Sequence, residues 1–181
     1  MMSNEMLCML YDMGKPMDYL FFFRPTRHVT LKGVLSQWFM SEFSDNGITY
    51  SSAEKYMMAQ KALLFGDSSV FEQIMCEDDP SKLKKYGRLV KGFRDDVWDK
   101  EKYRIVLKGN ILKFSSDTAL FEALMETGDS VLVEASPYDN VWGIKMDELD
   151  PYRFCPHNWR GENLLGQALM ETRSILSSIK S

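Results

Sequence analysis

The chain has 181 residues, a length that fits one domain of ordinary size. Its 45% hydrophobic and 27% charged residues are typical of a folded globular protein and argue against a disordered chain. The net charge of −4 gives no general attraction to polyphosphates, so any nucleic-acid contact would need a local basic patch.

The cysteines and the N-terminal residues indicate a reducing, non-membrane setting. Cys8, Cys76 and Cys155 are widely spaced and include no close pair of the kind that binds zinc, which predicts reduced thiols and no metal. Glu5 and Asp12 interrupt the apolar N-terminal stretch, and no run approaches the about 18 apolar residues that a membrane span needs. We therefore expect a cytoplasmic protein with one domain over residues 1–181 and no long linker or repeat.

The first predicted elements are strands. Residues 19–23 form a short aromatic run that is typical of a buried strand. Phe39 and Phe43 share one face of an alternating pattern, and the turn residues 45–47 lead into residues 48–50. This arrangement predicts a β-hairpin.

A helix is predicted next. Ser51 and Glu54 have the spacing of a capping box, so the helix is expected to start at Ser51, to run to Phe65 and to stop at Gly66.

Apolar spacing and end signals predict the later elements, with a strand of alternating faces at 131–136 and helices at 70–75, after Asp79-Pro80, at 97–113, at 117–127 and from about Glu162. The fold class is therefore α+β, mainly helical with a small β-sheet.

Two charged residues share an apolar face of the helix after Ser51. A rotation of about 100° per residue places Glu54 and Lys61 on one stripe, about 10 Å apart along the axis, too far for a direct pair. A ligand between them is one interpretation. The alternatives are that Glu54 closes the capping box with Ser51 and that Lys61 extends its amine into water.

A second group of candidates follows the strand at 131–136. Glu134 could face a cleft at the strand end, or could be an ordinary solvent-facing carboxylate. Asp139 could act on a substrate or could form an Asx turn, and Trp142 could stack on a base or ribose or could pack in the loop.

Several spaced blocks resemble the NADAR (YbiA-like) family. Its amino-terminal signature is similar to residues 35–39 (LSQWF), 50–56 (YSSAEKY) and 59–61 (AQK). Later blocks follow in the family's order over roughly residues 19–177: Gly87-Arg88, Arg94, Trp98, Lys113-Phe114, Leu132 with Glu134, Asp139 with Trp142-Gly143, and 161–166 (GENLLG) through Leu169-Met170 and Arg173.

The sequence departs from the family pattern in three places. Lys55 stands where the family usually has histidine, and Lys145 stands where it usually has glycine. Residues 146–158 are longer than the shortest members need and could form a lid. The departures at Lys55 and Lys145 bear on the choice of substrate.

The resemblance implies hydrolysis of an N-glycosidic bond, with no cofactor. The implied substrate is a phosphorylated riboside: a phosphoribosylated pyrimidine intermediate of riboflavin synthesis or, alternatively, ADP-ribose on guanine in nucleic acid. Capture of ADP-ribose or NAD without turnover is the non-catalytic alternative. Positive charge builds on the ribose as the bond breaks, so carboxylates such as Glu54, Glu134 and Asp139 suit the catalytic group. Glu54 could instead activate water if burial raised its pKa.

The other implied site residues would attack or bind the substrate. A neutral Lys61 amine could attack a ring-opened sugar and form a Schiff base. Trp98 would stack on the base, or pack in the core. Phosphate would be bound by Arg88 and Arg94, which could otherwise form a solvated basic face, or by the helix start containing Gly161, Asn163 and Gly166.

Overall fold

The computed structural model describes residues 2–25 and 30–180, with the backbone only for Lys180. The chain divides into two compact units: residues 37–120 form one, and residues 1–36 with 121–181 form the other. The helices and strands in chain order are α1 (Asn4–Asp12), β1 (Tyr19–Phe22), β2 (Met40–Asp45), β3 (Ile48–Ser52), α2 (Ala53–Leu64), α3 (Ser68–Met75), α4 (Pro80–Arg88), α5 (Asp95–Ser116), α6 (Thr118–Glu126), β4 (Val131–Glu134) and α7 (Leu164–Lys180), with short 3-10 helices at Gly33–Leu35, Pro151–Phe154 and Pro156–Asn158.

The unit of residues 37–120 places α2 at the centre of a helical layer. Helix α2 packs against α3, α4 and α5, and the antiparallel pair β2–β3 packs beside it. The predicted hairpin is confirmed, because Asn46 and Gly47 both have positive φ, at 50° and 80°, as a tight hairpin turn requires. Gly109 of α5 lets the Tyr56 ring approach closely, since a Cβ there would lie 2.7 Å from it.

The other unit is built on a parallel pair of strands. Strand β1 pairs with β4 from Tyr19 opposite Val131 to Phe22 opposite Glu134, and α7 packs on β4. The strand predicted at 131–136 is present over Val131–Glu134, and Val131, Leu132 and Val133, which lie on its two faces, are all buried. A parallel strand covered on both faces has a continuous apolar run.

The α+β class and the dominance of helices are confirmed, with some shifts. The strands form two separate two-stranded sheets instead of one small sheet. Helix α1 was not predicted, and α7 begins at Leu164, two residues after the predicted Glu162. Residues 146–158 contain two of the 3-10 helices, and their function as a lid stays a prediction.

The described residues include no helix that is long and apolar enough to cross a membrane.

Candidate active site

Helix α2 begins one residue later than the capping-box pattern predicts, and Ser52 is its N-cap. The Ser52 hydroxyl accepts a hydrogen bond from the Lys55 N–H at 3.2 Å, whereas the Ser51 hydroxyl donates to Asp78 at 2.6 Å. Because Lys55 occupies the third helical position, the interpretation that Glu54 closes a capping box with Ser51 is wrong.

The backbone of Glu54 is fixed by residues that are distant in sequence. Its N–H donates to the Gln37 carbonyl at 2.9 Å. The Gln37 side chain donates to Asn110 Oδ1 at 3.1 Å, and Asn110 in turn donates to the Val106 carbonyl at 2.9 Å within α5. These buried hydrogen bonds connect the first turn of α2 to the middle of α5 and fix where the Glu54 side chain starts.

The Glu54 side chain is unusually buried for a carboxylate, since the residue is 3% exposed. Glu54 does have an interaction partner; its Oε1 atom, however, is shielded from solvent and accepts no hydrogen bond from the described residues. In such a dry environment a carboxylate interacts strongly with a positive charge that develops on a bound sugar.

Two helical turns further along α2, the Lys61 amine lies against aromatic rings. It is 4.1 Å from the centroid of the Phe93 ring and 5.4 Å from that of Trp98. Burial lowers the pKa of Lys61 below its usual value; the charge of Asp95 opposes this effect and that of Arg88 reinforces it. A partly desolvated amine is more often neutral, and a neutral amine is a nucleophile.

The two predicted phosphate-binding arginines differ in their surroundings. Arg88, the last residue of α4, is exposed and is close enough to Lys61 to affect its pKa. Arg94 is also exposed, but its guanidinium makes two hydrogen bonds with Asp96, at 3.1 and 2.8 Å. The structure thus places Trp98 near Lys61, and the charge of Arg88 acts on the same amine. The bidentate geometry of Arg94, the N-cap of α5, is already used by Asp96 in the first turn of that helix.

Lys55, which replaces the family's usual histidine, is tied to a carboxylate. It is 6% exposed, and its amine donates to Asp78 Oδ1 at 2.9 Å. Ser51 donates to the same oxygen, and these hydrogen bonds, that of Ser51 first, hold the pKa of Asp78 below its usual value. The charge next to Glu54 in the sequence is therefore balanced by this chain's own Asp78.

In the second unit, Glu134 is the last residue of β4 and is half-buried. Its N–H donates to Asn163 Oδ1 at 3.0 Å, and its carbonyl accepts from Ile144 at 2.9 Å. The Asn163 amide also donates to the Leu132 carbonyl at 3.0 Å. Asn163 therefore connects the start of α7 to β4, which accounts for it without a ligand.

Asp139 forms an Asx turn, which is one of the two alternatives predicted for it from the sequence. Its Oδ1 accepts hydrogen bonds from the N–H groups of Val141 and Trp142, at 3.0 and 2.8 Å. Trp142 is half-buried in the same turn. The catalytic role of Asp139 and the stacking role of Trp142 stay predictions.

Two glycines, one before α7 and one in its first turn, allow close packing of backbone segments. A Cβ at Gly161 would lie 2.2 Å from the Gly143 carbonyl oxygen, and a Cβ at Gly166 would lie 2.1 Å from that of Leu132. Asn163 has a positive φ of 53°. These contacts explain the residue types by packing, and phosphate binding at this helix start stays a prediction.

Sequence reasoning missed Phe93 and gave no role to Gln37. Phe93 is 37% exposed and packs edge-on to Phe65 at 5.2 Å, so part of its ring remains open beside the Lys61 amine. An aromatic residue after Gly92, in a short connection between two helices, was the available signal. Gln37 lies inside the first signature block, but hydrogen bonding to a distant helix leaves no local pattern.

The fold and these side chains define a class of mainly helical α+β protein with a buried carboxylate and a desolvated amine on one helix. The chain belongs to the NADAR domain family, whose model matches residues 21–177.

Named relatives and a solved structure are similar to most of this chain. "N-glycosidase R617" of Acanthamoeba polyphaga mimivirus is 43% identical over 160 residues, which are 86% of this chain and 94% of that protein. "Riboflavin biosynthesis protein PYRR, chloroplastic" of Zea mays is 30% identical over 72% of this chain, which corresponds to 20% of the maize protein. The NMR structure of the E. coli protein YbiA has a TM-score of 0.72 and 26% identity, covering 91% of this chain and 89% of that one.

Proposed function

We propose that this chain is an N-glycosidase that hydrolyses the C–N bond between ribose and base in phosphoribosylated pyrimidine intermediates of riboflavin synthesis. The observation that carries the proposal is the presence, on one face of α2, of buried Glu54 and of a Lys61 amine packed against two aromatic rings. The names of the mimivirus and maize relatives support both the reaction and the pathway.

Glu54 has the role of a carboxylate beside the anomeric carbon. Hydrolysis places the hydroxyl of water on that carbon and the remaining proton on the departing nitrogen. As the C–N bond breaks, positive charge develops on the ribose ring, and a buried carboxylate stabilises it. The same group can take the proton from the attacking water. Both roles need the negative charge of Glu54, so one substitution tests them together.

Lys61 offers a covalent route to the same products. When the sugar ring opens, the neutral amine adds to the C1 carbon, and the base leaves with a proton. An imine between C1 and Lys61 remains, and water then hydrolyses it to the free sugar and the free amine. The desolvation that lowers the pKa of Lys61 increases the neutral fraction that this route requires.

The remaining roles follow from the positions around Lys61 and from the family resemblance. Trp98 stacks on the base, since its ring lies near the Lys61 amine, and Arg88 binds the phosphate, since its charge acts on the same amine. The family resemblance alone supports the further roles, which are catalysis by Glu134 and Asp139, stacking by Trp142 and phosphate binding by Arg94, Gly161, Asn163 and Gly166. The substrate is a small phosphorylated riboside, and no cofactor is required.

Removal of ADP-ribose from guanine in nucleic acid is the second candidate function. The observation that favours it is a set of exposed cations around the end of α4, namely Lys85, Arg88 and Lys91. Lys82 belongs to the same stretch but pairs with Glu77 at 3.1 Å. A local basic patch is what a chain of net negative charge needs in order to approach a polyphosphate.

We further propose that the two compact units function as one domain in the cytoplasm. The family match runs through both units. Cys8, Cys76 and Cys155 are all free thiols, which suits a reducing compartment.

Turnover monitored by mass spectrometry tests the proposal. The purified chain is offered a phosphoribosylaminopyrimidine, ADP-ribosylated guanosine and NAD separately, each beside Glu54→Gln and the control Glu72→Gln, which alters an exposed glutamate of α3. We expect free pyrimidine and ribose phosphate from wild type and the control, and not from Glu54→Gln. Release of ADP-ribose from ADP-ribosylated guanosine, with no cleavage of the pyrimidine compound, would select the second candidate. Ligands that bind and are recovered intact would identify a binding module and overturn the enzyme.

A further inference from the structure

Four titratable side chains with no role in the proposed chemistry converge in the unit that contains α1. Cys8 and Tyr11 come from α1, Tyr19 comes from β1, and Cys155 lies between the two 3-10 helices. Both cysteines are free and partly buried. Cys8 and Cys155 are far apart in the sequence, so only the tertiary structure can place them in the same region.

The segments on either side of Cys155 are packed against α1 and β1. The His157 ring meets the Tyr11 ring edge-on at 6.1 Å and lies 2.9 Å from the Asp12 carboxylate. The Phe154 ring meets the Tyr19 ring edge-on at 6.3 Å. Cys155, between these two contacts, is therefore placed beside α1.

The geometry of α1 places Cys8 close to Tyr11, on the part of the helix that His157 contacts. Cys8 and Tyr11 are three residues apart and share a face of the helix. Because helical side chains lean toward the N-terminus, the Tyr11 ring covers the turn that carries Cys8. Interaction with the Cys155 side chain is the first cause that raises the pKa of Tyr11, which agrees with a position of Cys155 near that turn.

Electrostatic effects agree with this placement. The pKa of the Cys8 thiol is raised, mainly by burial and then by the charges of Asp12 and Cys155. The pKa of Tyr19 is raised to about 12, mainly by burial, with further contributions from Cys155, Tyr11 and Cys8. Charges influence one another in this way only over short distances.

We propose that Cys8 and Cys155 are a redox-active pair that forms an intrachain disulfide when the chain meets a low-molecular-weight disulfide such as oxidised glutathione. A shared metal is the other use of two close thiols. The described residues contain no group of three or more His, Cys, Asp or Glu side chains placed to hold a metal ion, which favours the disulfide.

The reaction is a double thiol–disulfide exchange. One cysteine thiolate attacks a sulfur of oxidised glutathione, forms a mixed disulfide and releases one glutathione thiolate. The second cysteine thiolate attacks the protein sulfur of the mixed disulfide, forms the Cys8–Cys155 bond and releases the second glutathione. The two cysteines are oxidised by two electrons, one glutathione disulfide is reduced, and the two thiol protons end on the two released thiols.

The bond would join α1 covalently to the 3-10 segment. It closes a long loop, which restricts the unfolded chain and so stabilises the folded one. Its rate of formation should rise with pH, because the thiolate is the nucleophile and the raised pKa of Cys8 keeps that thiol protonated at neutral pH.

Peptide mapping of the folded, full chain tests the proposal. Wild type, Cys8→Ser, Cys155→Ser and Cys76→Ser are equilibrated across a series of oxidised-to-reduced glutathione ratios, alkylated and digested. Cys76 is the matched control, because it is an exposed cysteine of the other compact unit.

We expect a crosslinked Cys8–Cys155 peptide, and the loss of two hydrogen masses, in wild type and Cys76→Ser and in neither of the other variants. The wild-type map does not depend on whether a variant folds. Glutathione adducts without the crosslink, a bond to Cys76 instead, or a crosslink that forms only in denaturant would each overturn the proposal.

Discussion

Helix α2 and the start of α7 both contain polar residues of the family signature, but the surroundings of these residues differ. At the start of α7, Asn163 makes two hydrogen bonds to β4, and the neighbouring glycines make close backbone contacts. On α2, Glu54 is buried without a capping role, and Lys61 is desolvated against aromatic rings. Residues of one family signature therefore have different roles. Some stabilise the fold, and others place a charged group where it could contact a substrate.

The largest effect is expected from removing the charge of Glu54. Glu54→Gln keeps the size of the side chain and should lower turnover by at least about a hundredfold, the usual scale for a positioned acid or base, while Tm stays near that of wild type. Steady-state kinetics and thermal unfolding measure the two quantities. Glu72→Gln should change neither. Full activity, or a lower Tm with activity retained, would place Glu54 with the structural residues.

Lys61→Ala should lower turnover by about tenfold or more if the imine route operates. Borohydride should trap a covalent adduct on wild type, visible by mass spectrometry, and no adduct on the variant. Lys100→Ala, which alters an exposed lysine of α5, is the control. Unchanged hydrolysis by Lys61→Ala would remove this lysine from the mechanism.

The pH dependence of imine trapping is a second test of Lys61. Because the neutral amine is the nucleophile and burial lowers the pKa of Lys61, imine trapping should increase as pH rises through a pKa below the usual 10.5. A trapping profile that rises only at the ordinary lysine pKa would contradict the desolvated environment.

Asn163→Ala should act on stability. It removes one buried and one partly buried hydrogen bond and leaves the Glu134 N–H and the Leu132 carbonyl without this partner, so the free energy of unfolding should fall by about 2 to 3 kcal/mol. Denaturant unfolding measures the change. Asn158→Ala, which removes an exposed hydrogen bond, should cost less than about 0.5 kcal/mol. A stable but inactive Asn163→Ala would instead support ligand binding at this helix start.

The buried amine of Lys113, which is not on α2, should make the free energy of unfolding depend on pH. Complete burial lowers its pKa from 10.5 to about 7. Between these values the unfolded chain binds a proton that the folded chain does not, so the free energy of unfolding should rise with pH by up to about 1.4 kcal/mol per unit. Lys113→Met should flatten this slope, whereas Lys100→Met should leave it unchanged. An equal slope in Lys113→Met would contradict the lowered pKa.

The smallest effect concerns Lys145, which replaces the family's usual glycine. Its φ is 51°, a left-handed conformation that favours glycine. Lys145→Gly should therefore raise the free energy of unfolding by about 0.5 to 1 kcal/mol without changing the preference among substrates. A changed substrate preference would show that this position acts in specificity instead of in backbone geometry.

Much of the fold could be predicted because its signals are local. The turn at Asn46-Gly47, the N-cap Asp79 before Pro80 and the stop at Gly66 act within a few residues, and all three are confirmed. At Gly66, hydrogen bonds from Gly66 to Leu63 and from the next residue to Ala62 close the helix end as expected.

Other features could not be predicted because they depend on distant segments. Two serines precede α2. The Ser52 hydroxyl caps the helix, whereas the Ser51 hydroxyl donates to Asp78, which is distant in sequence. The burial of both faces of β4 depends on its pairing with β1 and on the cover of α7. Neither partner is visible in the local alternation pattern.

By itself the sequence determined the helical character, the hairpin, the family and the residue types that chemistry would need, because periodicity, caps and ordered motif blocks are properties of the chain. The tertiary structure alone decided which candidates are chemically distinctive. It fixed the Glu54 backbone through Gln37 and Asn110, and it placed Phe93 over the Lys61 amine. Burial and pKa depend on neighbours that are close in space and distant in sequence, and a one-dimensional pattern does not contain them.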